Sequence, residues 1–145
     1  MKYIPFFGCM LSTKYPRFES AVRRSVVKAG MELVDVDGFT CCLDPIYFQA
    51  RDKMEWYTVA GRNITLAEDF GYDIITTCSG CTATLSEVNL ALKEDEGLKN
   101  KINNRRKRIG REFKGSINVR HAVTVLPMIS DSIGRRKRSS GLWTA

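Results

Sequence analysis

Short apolar runs alternate in this chain with longer segments of helical periodicity, and this alternation constrains the fold more than any other feature. The runs cover residues 3–7, 32–36, 73–77 and 117–119. Helical segments are predicted from Pro16, after the cap candidate Asp52, from Thr82 and over about 96–109, with Gly30 and Gly71 ending the first two. This order predicts right-handed crossovers and an α/β fold, a small parallel sheet with helices on both faces.

The first predicted strand carries Pro5. Proline has no N–H to donate to a neighbouring strand, so we expect this strand at an edge of the sheet or in an irregular position. A turn is expected between this strand and the helix that begins at Pro16.

All five cysteines follow the ends of predicted strands. Cys9 lies beyond the first strand, Cys41 and Cys42 follow the second, and Cys78 and Cys81 follow the third. Parallel strands present their carboxyl ends at one rim, which is where open α/β sheets bind ligands. We therefore expect three separate regions of the chain to bring their thiols to one site.

An odd number of cysteines cannot all form internal disulfides, and residues 1–7 lack the pattern of a secretory signal, so we expect a cytoplasmic protein with reduced thiols. No apolar run approaches the ~20 residues of a membrane span. The thiols could be small buried side chains, a dithiol exchange pair at Cys78 and Cys81, ligands of structural zinc, or ligands of an iron–sulfur cluster. A vicinal pair such as Cys41-Cys42 suits a multi-iron cluster better than one zinc tetrahedron.

The positive charge belongs to the last third of the chain. Residues 1–98 carry ten Lys and Arg against fourteen Asp and Glu, whereas residues 99–145 carry thirteen against two. Phe113 and Trp143 alone do not make a stacking platform, so nucleic-acid binding is disfavoured and a solvated helix face is expected. The alternative function is a zinc-stabilised or thiol-exchange protein that binds nucleic acid or a partner through this basic third.

The cysteine pattern and its surroundings resemble the cysteine-rich CCG domain in the B subunit of heterodisulfide reductase from methanogenic archaea. The motifs that carry the resemblance are Phe6-Phe7-Gly8-Cys9, Glu32-Leu33-Val34-Asp35, Ala60-Gly61-Arg62-Asn63-Ile64, Cys78-Ser79-Gly80-Cys81 and Val119-Arg120-His121. The resemblance covers residues 1–126, which correspond to the N-terminal half of that protein.

The resemblance implies a non-cubane 4Fe–4S cluster held by Cys9, Cys41, Cys42, Cys78 and Cys81. The implied reaction is reduction of a small-molecule substrate, the mixed disulfide of coenzyme M and coenzyme B, to two thiols. In that family two such modules face each other in one chain. Electrons arrive from the partner proteins of the complex: the A subunit, which carries flavin and iron–sulfur clusters, and the C subunit, which carries iron–sulfur clusters.

Two features depart from the family pattern. Leu43 stands where the family usually places Gly or Pro after the vicinal pair. Only one module is present: we expect a cysteine-rich domain over 1–126 and a basic, disordered or non-native tail over 127–145. A single module implies a homodimer or partial activity.

His121, the only histidine, is a candidate proton donor to a departing thiolate. Histidine exchanges protons near neutral pH, and this residue follows a predicted strand. A purely structural role is the alternative.

Overall fold

The computed structural model describes residues 1–107 and 110–125, which contain four strands and six helices of defined bounds, with residues 122–125 also helical. In chain order these are β1 Lys2–Phe6, α1 Gly8–Lys14, α2 Pro16–Lys28, β2 Glu32–Leu33, α3 Tyr47–Arg51, α4 Lys53–Glu68, β3 Ile74–Thr76, α5 Ser79–Glu94, α6 Glu96–Arg106 and β4 Val119–His121. The tail predicted over 127–145 lies outside the described residues. Within 1–107 and 110–125, no helix has both the length and the apolar character needed to cross a bilayer.

The strands form one parallel sheet in the order β2-β1-β3-β4. Ile4 of β1 pairs with Ile74 of β3, and Thr76 of β3 pairs with His121 of β4. The chain moves from β1 to one side for β2 and then crosses to the other side for β3. The predicted α/β fold with a parallel sheet is confirmed.

Helices cover both faces of the sheet. Ile4 and Ile74 contribute to a core built with α4, α5 and α6, whereas Tyr3 and Ile75 pack on the opposite face with Val26 of α2. This follows from the strand geometry, because successive side chains of a strand point to opposite faces. Apolar side chains on both faces are what a sheet covered by helices on either side requires.

β1 is a central strand, so the edge position expected from Pro5 is wrong. The Ile4 N–H donates to Asp73 O at 2.9 Å on the β3 side, and the nitrogen of Pro5 therefore faces the β2 side. On that side the last bond of the ladder runs from Val34 N to Tyr3 O, at 2.9 Å. The next bond would come from the nitrogen of Pro5, which has no N–H, so the β1–β2 pairing ends here while β1 continues to pair with β3.

The helix signals in the sequence are confirmed where they were strongest. Asp52 is the N-cap of α4, and its side chain accepts a hydrogen bond from Glu55 N at 2.9 Å. Two short helices, α1 and α3, were not predicted, and the expected turn before Pro16 is helical. Neither short helix contains a buried residue or a side-chain cap, so neither produces an apolar period.

β4 begins two residues later than predicted. Ile117 is buried, but its carbonyl accepts hydrogen bonds from the side chains of Asn89 and Lys93, at 3.1 and 2.8 Å, instead of pairing in the sheet. The apolar character at 117 therefore marks a core contact before the strand.

The basic helix α6 is only partly the solvated helix expected. Lys99 pairs with Glu96 at 3.0 Å on the surface, as predicted for this face. Arg106, in contrast, is 1% exposed and donates through Nη2 to Thr65 Oγ1 of α4. Burial lowers the pKa of Arg106 to about 10, against the opposing charge of Glu68.

Candidate functional site

The cysteine-bearing segments follow three adjacent strands. Cys9 lies in the first turn of α1 after β1, and Cys41 and Cys42 lie in the loop between β2 and α3. Cys78 is the N-cap of α5 after β3, and Cys81 is in the first turn of that helix. β1 pairs with both β2 and β3, so the three segments leave neighbouring strands of the same direction.

The thiols meet as two pairs. The sulfur of Cys9 is 3.6 Å from the sulfur of Cys41, and both residues are exposed. The sulfur of Cys42 is 3.3 Å from the sulfur of Cys81, and both residues are buried. Because Cys41 and Cys42 are consecutive, the vicinal pair joins an outer and an inner thiol pair.

The two inner thiols shift each other's pKa in opposite directions. The hydrogen bond with Cys81 lowers the pKa of the Cys42 thiol. The same bond, together with burial and the neighbouring Cys78 thiol, raises the pKa of the Cys81 thiol. The neighbouring Cys41 thiol also lowers the pKa of Cys42.

Two buried threonines anchor the cysteine segments. Cys78 N donates to Thr76 Oγ1 at 3.1 Å, and Thr84 Oγ1 donates to Leu43 O at 3.0 Å. Both threonines are completely buried. The sequence marks neither one, because a hydrogen bond between a threonine and a backbone group leaves no pattern of residue types, and the partner of Thr84 lies 41 positions earlier.

Leu43 has a φ of +63°. This is the left-handed region, where glycine has no steric penalty and a side chain costs about 1–2 kcal/mol. A glycine directly after the vicinal cysteines is therefore what this backbone favours. Leu43 takes the conformation at the expense of local strain, and part of its side chain packs against the main core.

A cavity of about 330 Å³ opens beside the outer thiol pair, with Cys9 and Cys41 in its lining. Three charged residues line it, Glu19, Arg23 and Asp35. Arg23 pairs with both carboxylates, through Nε to Glu19 at 2.9 Å and through Nη2 to Asp35 at 2.8 Å. The guanidinium of Arg23 also lies over the ring of Phe7, 4.9 Å from the ring centroid. The apolar and aromatic residues of the lining are Pro5, Phe6, Phe7, Val36 and Phe39.

The candidate metal ligands of this site are all cysteine sulfurs. Among residues 1–107 and 110–125, no group of three or more His, Cys, Asp or Glu side chains is arranged to hold a single metal ion. A tetrahedral zinc site needs four ligands around one centre. Thiolates arranged as linked pairs fit a larger soft-metal group, because sulfur prefers iron–sulfur clusters, zinc and copper(I).

His121 is the last residue of β4, beside Thr76 of β3. Its Nδ1 accepts a hydrogen bond from Val123 N at 3.2 Å. In the neutral ring the proton is then on Nε2, which makes that nitrogen the donor. Its role as a proton donor stays a prediction.

The chain is similar to curated proteins that are named as B subunits of heterodisulfide reductases or as like them. It is 40% identical over 121 residues to the B subunit of the ferredoxin/F420H2-dependent CoB-CoM heterodisulfide reductase of Methanosarcina acetivorans, covering 83% of this chain and 40% of that protein. It is 32% identical over 126 residues to a protein of Archaeoglobus profundus named as like the heterodisulfide reductase B subunit, covering 87% and 42%. The chain thus spans about two fifths of the length of these relatives.

A more distant relative is the membrane anchor protein of the 8-methylmenaquinol:fumarate reductase of Wolinella succinogenes, 28% identical over 126 residues, covering 86% of this chain and 43% of that protein. Among solved structures, a hypothetical protein from Helicobacter pylori superposes with a TM-score of 0.70 at 15% identity, covering 83% of this chain and 24% of that one. That likeness concerns the fold.

A family model described as "Cysteine-rich domain" (CCG) matches residues 3–86, which is more than half of the chain and contains all five cysteines. The chain belongs to the CCG cysteine-rich domain family.

Proposed function

We propose that this chain is the N-terminal module of a heterodisulfide-reductase-type oxidoreductase and that its five cysteines hold a non-cubane 4Fe–4S cluster. The observation that carries the proposal is the pairing of Cys9 with Cys41 and of Cys42 with Cys81. The vicinal cysteines couple an exposed pair to a buried one. Ligands spread over two linked pairs suit a group of several irons.

The competing uses of the thiols fit this geometry less well. A dithiol exchange pair at Cys78 and Cys81 leaves Cys81 buried and bonded to Cys42 instead of presented to a substrate. A single zinc ion requires four sulfurs around one point, and the sulfurs pair instead. Small buried side chains do not account for Cys9 and Cys41, which are exposed.

The proposed reaction is reduction of the coenzyme M–coenzyme B mixed disulfide, with two electrons and two protons converting one S–S bond to two thiols. A bound cluster supplies electrons and a Lewis-acidic iron for that bond cleavage. The chain's own residues hold the inner sulfurs away from water and leave the outer sulfurs beside the cavity. This cavity is the position we assign to one arm of the substrate.

Partners follow from the names and the size of the relatives. The similar proteins are named as B subunits, so we propose that electrons come from proteins equivalent to the A and C subunits of that enzyme. The module is assigned to residues 1–126, with His121 as candidate proton donor. A homodimer is the arrangement we propose for placing two such modules opposite each other. The compartment we propose is the cytoplasm, which keeps thiols reduced.

The test is turnover by protein reconstituted with iron and sulfide under anaerobic conditions. Reduced viologen supplies electrons, and its oxidation on addition of the heterodisulfide is followed together with the thiols released. We expect turnover that Cys42→Ser and Cys81→Ser abolish, while Ser20→Ala, on the exposed face of α2, retains it. Turnover by a protein that light scattering shows to be monomeric would contradict the proposed need for a second module.

A further inference from the structure

We infer that Asn63 is the positioning residue for the vicinal cysteines. It lies in the middle of α4 and is completely buried, 0% exposed. Its Oδ1 accepts hydrogen bonds from Thr40 N at 3.0 Å and from Thr40 Oγ1 at 3.2 Å. Its Nδ2 donates to Thr40 O and to Cys41 O, both at 3.3 Å. All of these hydrogen bonds of the Asn63 side chain are therefore made to one segment, residues 40 and 41.

That segment has no regular secondary structure to hold its backbone. Between Leu33, the end of β2, and Tyr47, the start of α3, the described chain forms no helix or strand. Backbone groups that lack partners in regular structure must find them in side chains. The neighbouring Arg62 contributes one such bond, from Nη1 to Gly38 O at 2.8 Å. Asn63 holds the backbone of the following residues, Thr40 and Cys41, the second of which is the first cysteine of the vicinal pair.

Fixing the Cys41 carbonyl sets the direction of two thiols at once. Cys41 turns its sulfur outward to Cys9, and the next residue, Cys42, turns its sulfur inward to Cys81. A rotation of the peptide between them would move both sulfurs away from their partners. The Asn63 amide thus acts on the outer and the inner thiol pair together, from the side of Cys41, while Thr84 holds the carbonyl of Leu43 on the other side.

Gly61, Arg62 and Asn63 are consecutive in α4 but contact different parts of the molecule. Gly61 faces α5 and α6, where a Cβ would make ordinary contacts with Leu92 at 3.4 Å and Arg106 at 3.7 Å. Arg62 and Asn63 instead reach the loop that carries Cys41. The glycine therefore faces neighbouring helices, while the asparagine acts on the segment that carries the thiols.

A matched control exists in α5. Asn89 is also buried, at 6% exposure, and its Nδ2 donates to Ile117 O at 3.1 Å, tethering a loop that carries no cysteine. Asn63→Ala and Asn89→Ala therefore make the same chemical change in the same kind of setting. A structural role alone predicts similar consequences for both.

The first readout uses the metal-free, reduced chain and does not depend on the proposed cluster. In glutathione buffers, one glutathione disulfide is reduced to two thiols as one Cys9–Cys41 disulfide forms. The equilibrium constant of this exchange, called the thiol balance below, gives the effective concentration of the two cysteine thiols. We expect Asn63→Ala to lower it by about tenfold or more and Asn89→Ala to leave it within about twofold, at comparable losses of unfolding free energy.

The second readout rests on the proposed function. After anaerobic reconstitution, Asn63→Ala should hold less iron per chain and give an altered electron paramagnetic resonance spectrum, while Asn89→Ala matches the wild type. A normal thiol balance in Asn63→Ala overturns the inference whatever the iron content. A lowered thiol balance without any iron uptake in the wild type keeps the inference and counts against the cluster.

If Asn63→Ala does not fold, hydrogen exchange in the wild-type chain tests the inference. The Thr40 amide donates to Asn63 Oδ1, so its hydrogen exchange in the native chain should be slowed to the level of neighbouring core amides. Asn63→Asp, which keeps an acceptor for that amide and removes the donors to both carbonyls, should disturb the thiol balance more than the Thr40 exchange. Free exchange at Thr40 in the wild type contradicts the inference.

Discussion

The backbone at Gly8 passes so close to Cys81 that a β-carbon on residue 8 would lie 2.6 Å from the Cys81 sulfur. Gly8 also has a φ of +73°, a conformation that side chains rarely adopt. The glycine that precedes Cys9 therefore leaves the space in which the sulfur of Cys81 sits. Residues from the first and third cysteine segments are in direct van der Waals contact at this point.

Gly8→Ala should displace the Cys81 sulfur and separate it from Cys42. Gly30 is the matched control, because its φ is +80° and a β-carbon there would meet nothing within 4 Å. Both variants should lose about 1 kcal/mol of unfolding free energy from backbone strain. Only Gly8→Ala should also lose iron binding after anaerobic reconstitution. Equal iron content in the two variants would argue against the close approach.

Leu43 should show an inverted preference between alanine and glycine. At ordinary positions alanine is more stable than glycine by about 0.5–1 kcal/mol, because glycine loses more backbone entropy on folding. At a φ of +63° the β-carbon adds strain, so Leu43→Gly should be more stable than Leu43→Ala by about 1 kcal/mol. Chemical denaturation of the metal-free variants measures the difference. The ordinary order, alanine above glycine, would contradict the left-handed backbone.

The outer thiol pair should oxidise before the inner one. Cys9 and Cys41 are exposed with sulfurs 3.6 Å apart, whereas Cys42 and Cys81 are buried, so glutathione disulfide reaches the outer pair first. Peptide mass mapping of the metal-free chain should find a Cys9–Cys41 disulfide while Cys42 stays reduced. Cys9→Ser should abolish that product. Early oxidation of Cys42 instead would show that the inner pair is accessible.

Glu68 should be essential for the loop that leads to β4. Its carboxylate accepts hydrogen bonds from the backbone amides of Lys114, Gly115 and Ser116, at 3.0, 2.6 and 2.8 Å. Its negative charge also favours the charged form of the buried Arg106, raising the pKa that burial lowers. Glu68→Gln replaces an acceptor with a donor and removes the charge, so we expect a loss of about 2–3 kcal/mol in unfolding free energy. Glu94→Gln, at an exposed position of α5, should change it by less than about 0.5 kcal/mol.

The layout of the fold could be predicted because it depends on local periodicity. Alternating strands and helices imply a parallel sheet, and Asp52 caps its helix through neighbours three residues away. The position of Pro5 could not be predicted, since it depends on where β2 stops. The burial of Arg106 depends on Thr65, far away in the sequence.

The candidate site also has features that the sequence predicts and features that it does not. The cysteines are visible because their residue type and their place after strands are both local features. Asn63 was marked only as part of a motif, and the carbonyls it holds belong to residues more than twenty positions earlier. The cavity beside Cys9 and Cys41 was not anticipated, because it arises where β1 and the segment after β2 part. Long-range contacts of this kind exist only in the folded chain.

The central claim is that these five sulfurs hold one group of several irons. The direct measurement is iron and acid-labile sulfide per chain in protein prepared and reconstituted without oxygen. We predict about four irons with a matching amount of sulfide. One zinc per chain with no sulfide would contradict the account.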